Sequence, residues 1–139
     1  MPSKGLLNQL RDIGKTFRQR RGNAAEDLAL AHLEARGLRL IERNYRCRQG
    51  EIDLILRDGA TLVFAEVRYR AGDDFGGALA SVTRVKQSKI TLAALHYLQH
   101  HPATARLAAR FDVIGVSGTL SGAAPRPRIE WIRDAFQHC

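Results

Sequence analysis

The sequence predicts an α/β fold, a mixed sheet flanked by helices in a single domain, and three observations lead there. The chain has 139 residues, of which 45% are hydrophobic and 26% charged. That is the composition of an ordinary globular domain long enough to bury one core. Two segments with helical apolar spacing bracket a block of strand-like segments, giving the order helix, three strands, helix, strand, strand. This alternation suits helices packed on a sheet rather than a bundle or a β-sandwich.

Residues 1–21 form a basic arm. Leu6, Leu10, Ile13 and Phe17 recur at helical spacing, and six bases against the single acid Asp12 supply +5 of the net +8. Such a helix ends at Arg21-Gly22 and suits DNA, a membrane surface, a partner groove or docking on the chain's own domain. The domain proper spans 22–139. Asn23, with Glu26 three residues later, reads as a capping box opening a helix that runs to Arg36 and stops at Gly37. Strands follow at 38–46, 51–57 and 61–69, the last two joined by Asp58-Gly59-Ala60. Residues 71–77, rich in Gly and Asp, form a loop. An unbroken helical pattern then runs from Val82 to about Gln99, with Ser81 or Thr83 at its cap and Pro102 beyond its end. A strand at 111–116, a loop at 117–127 and a strand at 128–133 complete the chain.

A net charge of +8 and a pI near 10.3 attract polyanions or anionic surfaces. No apolar run approaches the roughly 20 residues of a spanning helix, so no membrane segment is expected. The first 21 residues lack the apolar block of a secretory signal, and a cytoplasmic location is the expectation. Cys47 and Cys139 form no CxxC pair. His100-His101 closes the long helix, and His32, His96 and His138 offer no ligand spacing, so neither zinc nor a disulfide framework is expected. Trp131 and Phe136 read as packing residues. Phosphate-cradling glycine loops and the GxSxG elbow are missing from the sequence, which excludes nucleotide-driven and serine-hydrolase chemistry.

Charges interrupt two otherwise apolar strands, in Gly50-Glu51-Ile52-Asp53 and Glu66-Val67-Arg68. Buried charge is unfavourable without compensation. If a two-residue turn joins these strands, Asp53, Glu66 and Arg68 share one face. With Gly59-Ala60 as a type II′ turn, Asp53 lies opposite Glu66; with Asp58-Gly59 as type I′, the two are diagonal neighbours. A bulge or a three-residue turn would break the geometry. Two carboxylates so close need a shared proton or a cation, and hard oxygens favour Mg²⁺ or Mn²⁺. Glu26 falls in the sheet-facing stripe of Ala29, Leu30 and Leu33, although a capping box and the helix dipole also favour Glu there. Lys86 and Lys89 lie one turn apart and could reach phosphates or the acids, or stay solvated. Tyr69 and Arg70 read as backbone contacts to a nucleic acid, Asp73 and Asp74 as loop residues, and Asp112 as the partner of a neighbouring base inside the sheet.

Glu26, Gly50-Glu51-Ile52-Asp53, Glu66-Val67-Arg68, Phe111-Asp112 and the helix bearing Thr83, Lys86 and Lys89 resemble the YraN family of small bacterial proteins. That family is similar to the PD-(D/E)xK nucleases, which include restriction endonucleases and Holliday junction resolvases. The resemblance covers roughly residues 22–134. It implies a restriction endonuclease-like fold and a metal-dependent endonuclease for structured or branched DNA, with a homodimer expected by analogy. It also implies that Asp53, Glu66 and the Val67 carbonyl hold Mg²⁺ or Mn²⁺, with Glu26 nearby. The superfamily's usual lysine is Arg68 here, which can stabilise negative charge but cannot act as a base. Three expectations follow: slow or specialised cleavage, a lysine supplied by Lys86 or Lys89, or a domain that binds nucleic acid without cutting it. A protein-interaction domain whose arm docks on a partner is a further alternative.

Overall fold

The structure, a computed structural model, describes residues 17–70, 77–120 and 126–137, with side chains from residue 23 onward. Most of the predicted arm therefore lies outside the described residues. Helix α1 (Phe17–Glu34) runs straight through Gly22 and Asn23. The capping box predicted at Asn23 does not form, because Asn23 sits inside the helix. One interior glycine disfavours a helix by only about 1 kcal/mol, and Ala25, Ala29 and Leu33 bury completely against the sheet and hold this helix down. Its C-terminus ends as the sequence indicates. Gly37 takes φ +93°, its N–H bonds to Glu34, and the Leu38 N–H reaches back to Leu33 at 3.1 Å, which satisfies the last carbonyls.

Strands β1 (Arg39–Cys47), β2 (Gly50–Asp58) and β3 (Thr61–Arg70) follow, then helix α2 (Arg84–His100), a 3₁₀ turn (Thr104–Arg106) and strands β4 (Ala108–Ser117) and β5 (Arg128–Phe136). They form one five-stranded sheet in the order β1-β2-β3-β4-β5, antiparallel except for the parallel pair β3–β4. A parallel pair needs a crossover, and α2 supplies it. The result is the expected α-β-β-β-α-β-β order, consistent with a restriction endonuclease-like fold.

The helices cover opposite faces of the sheet. Ala25, Ala29 and Leu33 of α1 pack on Leu54, Leu56, Val63, Ala65 and Ile114. Ile90, Ala93, Ala94 and Tyr97 of α2 pack on Ile52, Ile55, Leu62, Phe64 and Val113. Central strands buried on both sides explain why β2 and β3 are almost continuously apolar. The Thr83 hydroxyl caps α2 by accepting the Lys86 N–H. Strands β4 and β5 extend beyond their predicted bounds because Asp112 reinforces the sheet there. Its buried carboxylate accepts Arg110 Nε at 3.0 Å, Trp131 Nε1 at 2.9 Å and the Asp134 N–H at 2.9 Å, pinning a bulge at which Asp134 has φ +51°. The expected pairing of Asp112 with a base is met by Arg110, which also bonds Asp58 at 2.9 Å.

Candidate active site

The site begins with a turn. Gly59 has a positive φ of 59° and Ala60 does not, the sign pattern of type II′, and Asp58 pairs with Thr61. The register therefore runs to Leu54↔Ala65, with Asp53 and Glu66 just beyond that pair. The paired ladder ends there. In place of a backbone bond, Asp53 Oδ2 accepts the Val67 N–H at 2.8 Å. Because a strand residue directs its N–H and C=O to the same side, the Val67 carbonyl also faces the gap between β2 and β3.

Two acids now share a confined space. Glu66 is only 4% exposed. Burial, and then the negative charge of Glu66, push the Asp53 carboxyl up to about 8, against the stabilising Val67 N–H. At neutral pH the pair thus retains a proton unless a cation replaces it. Glu66 receives Lys86 Nζ at 3.1 Å and Arg68 Nη1 at 3.6 Å. Lys86 therefore reaches Glu66 from α2. Arg68 is also held by Ser81: its Nε donates to Ser81 Oγ at 3.0 Å, and Ser81 Oγ in turn donates to the Ala78 carbonyl at 2.6 Å.

Glu26 approaches from α1 on the opposite face. Its pKa is raised by burial and by the Asp53 charge, and Arg43 opposes both effects. Arg43 lies 3.6 Å from Glu26 and 2.8 Å from Asp27. Glu26 Oε1 is buried without a hydrogen-bond partner. Glu26, Asp53 and Glu66 are thus electrostatically linked across the opening in the sheet. Among the described residues no group of three or more His, Cys, Asp or Glu side chains is arranged to hold a metal ion; Asp53 and Glu66 offer two carboxylates beside one backbone carbonyl.

Other predicted residues stand apart. Tyr69 donates its hydroxyl to the Gly118 carbonyl at 2.9 Å, and the Arg70 carbonyl accepts the Gly118 N–H, so both help close the end of the sheet. Lys89 is exposed and lies beside the β1–β2 turn rather than the acids. Sequence reasoning missed Arg43, Ser81 and Asn44. Asn44 has φ +53° and helps to lower the Glu26 pKa, and an Asn inside a strand pattern was the available signal for it. His96 and His100, read from the sequence as without ligand spacing, stack their rings at 4.1 Å, and His96 bonds the Tyr45 hydroxyl.

Comparison with known proteins places this arrangement in a family. A UPF0102 protein of Methylococcus capsulatus is 50% identical over 125 residues, covering 90% of this chain and 97% of its own. One from Pseudomonas entomophila is 49% identical over 84% of this chain and 92% of its own, and one from Ralstonia nicotianae is 55% identical over 83% and 85%. Residues 25–116, which include Glu26, Asp53, Glu66, Arg68 and Lys86, match the uncharacterised protein family UPF0102. The chain therefore belongs to UPF0102, the family of the YraN proteins.

Proposed function

We propose that this protein is a metal-dependent endonuclease acting on structured or branched DNA, with Asp53, Glu66 and the Val67 carbonyl holding Mg²⁺ or Mn²⁺. The observation that carries this reading is the buried Asp53–Glu66 pair, whose Asp53 carboxyl is driven up to about 8 by burial and by its neighbour. The donors fit the ion, since hard carboxylate and carbonyl oxygens suit Mg²⁺ and Mn²⁺. When bound, the ion polarises the phosphate and lowers the pKa of a coordinated water.

The chain's own residues supply the rest. Lys86 brings a compact ammonium to Glu66 from α2, where Arg68 brings a planar guanidinium. Arg68, positioned by Ser81, presents fixed positive charge to the phosphate. Glu26 adds negative potential from the far side, where its buried Oε1 lies 3.6 Å from Arg43 and has no hydrogen-bond partner.

The test is cleavage of a panel of duplex, flap, junction and single-stranded DNA with Mg²⁺, with Mn²⁺ and with EDTA. We expect metal-dependent cleavage that Asp53→Asn and Glu66→Gln each abolish. Failure to cut any of these substrates would overturn the reading.

The contacts of Lys86 and Arg68 with Glu66 favour a second reading, a nucleic-acid-binding module whose acids are already neutralised from within. That reading expects DNA binding that survives Asp53→Ala without cleavage.

A further inference from the structure

The turn between β1 and β2 lies next to the acid pair but takes no part in it. Arg46, Arg48, Gln49, Glu51 and Lys89 line a shallow cavity of about 390 Å³ there. Three of these side chains are basic and one is acidic. Glu51 already pairs with Arg46 at 3.2 Å. Arg48 and Lys89 are exposed and make no ion pair among the described residues.

The cavity is fixed in relation to the site. A Cβ on Gly50 would lie 2.8 Å from the Lys89 carbonyl oxygen, so the turn packs directly on the α2 backbone. Lys86, which touches Glu66, precedes Lys89 by one helical turn, a rise of about 4.5 Å. Three residue steps along β2 separate Gly50 from Asp53, roughly 10 Å. Bases therefore extend from the acid pair through Lys86 and Lys89 to Arg48, with Glu51 the acid among the cavity's lining residues.

We propose that Arg48 and Lys89, with Arg46, form a second phosphate subsite that holds the nucleic-acid backbone beside the acid pair. This rests on the nucleic-acid reading of that pair. This subsite engages a phosphate of the same backbone other than the one facing Asp53 and Glu66. No large apolar side chain lines the cavity, and membrane insertion would need one.

The test uses the full chain, a fluorescein-labelled four-way DNA junction, and anisotropy in EDTA between 50 and 300 mM KCl. The variant is Arg48→Ala/Lys89→Ala, both sites being exposed, with a thermal melt to confirm folding. Each phosphate contact contributes close to one to the slope of log K against log salt. The double variant is therefore expected to raise Kd at least about tenfold and to lower that slope by about 2, while Mn²⁺ binding measured by calorimetry stays unchanged. A folded double variant with unchanged Kd and slope would overturn this inference alone, leaving the metal reading intact. Wild-type protein that binds phosphatidylserine vesicles more tightly than DNA would also overturn it. Loss of DNA binding in the double variant, in a protein that never binds Mn²⁺, would support the subsite and sink the metal reading instead.

Discussion

At Asp53 the sequence places an acid where the fold can accommodate its charge only with help. Its folded pKa lies above its unfolded one, so the folded state binds the proton more tightly. Stability from this group is therefore fully present below about pH 4 and is lost as pH rises toward 8. Each pH unit in that window weakens the folded state by at most about 1.4 kcal/mol. Asp53→Asn removes the charge and keeps the shape. In EDTA it should match wild type near pH 4 and melt several degrees higher at pH 8, measured by thermal denaturation across the range.

Lys86 carries a second prediction at this scale. As the ammonium that faces Glu66, Lys86 matters for cleavage through its charge and shape, and Lys86→Met should lower metal-dependent cleavage by about 10²–10³. Lys86→Arg should not fully restore it, because a planar guanidinium replaces a compact ammonium. Cleavage rates of the two variants, measured side by side, check this.

Among the elements, the β1–β2 hairpin and the β4–β5 pair each depend on one position. Gly50 allows the hairpin turn to touch the α2 backbone, and a methyl group there meets the Lys89 carbonyl, which cannot move aside independently of its helix. Gly50→Ala is expected to destabilise the protein by about 1–3 kcal/mol, read from urea denaturation. Asp112 joins Arg110, Trp131 and the bulge at Asp134. Asp112→Ala leaves the Arg110 side chain with only Asp58 and strips two donors of their acceptor, and the expected loss is about 3–5 kcal/mol. The fluorescence of Trp131 reports it during unfolding.

Much of this was legible at the element level. A two-residue turn was enough to set the register as far as Leu54↔Ala65 and so bring Asp53 and Glu66 to the same end of the ladder, because register follows from turn length. Strict alternation fails at Asp53, since Ile52 packs with the α2 side and Leu54 with the α1 side. Gly37 and Thr83 marked their helix ends through local chemistry. The continuity of α1 through Gly22 was not legible, because packing of Ala25, Ala29 and Leu33 on the sheet outweighs a local stop signal.

For the whole molecule, the sheet's two covered faces explain how acids from distant segments meet. Glu26 comes from the helix on one face and Lys86 from the helix on the other, and both reach the opening where β2 and β3 part. The meeting of the acids could be read from turn length. The parting itself, the turn of Arg68 toward Ser81 and the contact of Arg43 with Glu26 depend on how α1 and α2 sit on the sheet, and no local pattern encodes them.

The central claim is that the Asp53–Glu66 pair grips a divalent cation, and calorimetric titration of the metal-free full chain with Mn²⁺ tests it most directly. One ion bound per chain, with binding lost in both Asp53→Asn and Glu66→Gln, is the predicted result. No binding by wild type, or binding that persists unchanged in both variants, would contradict it.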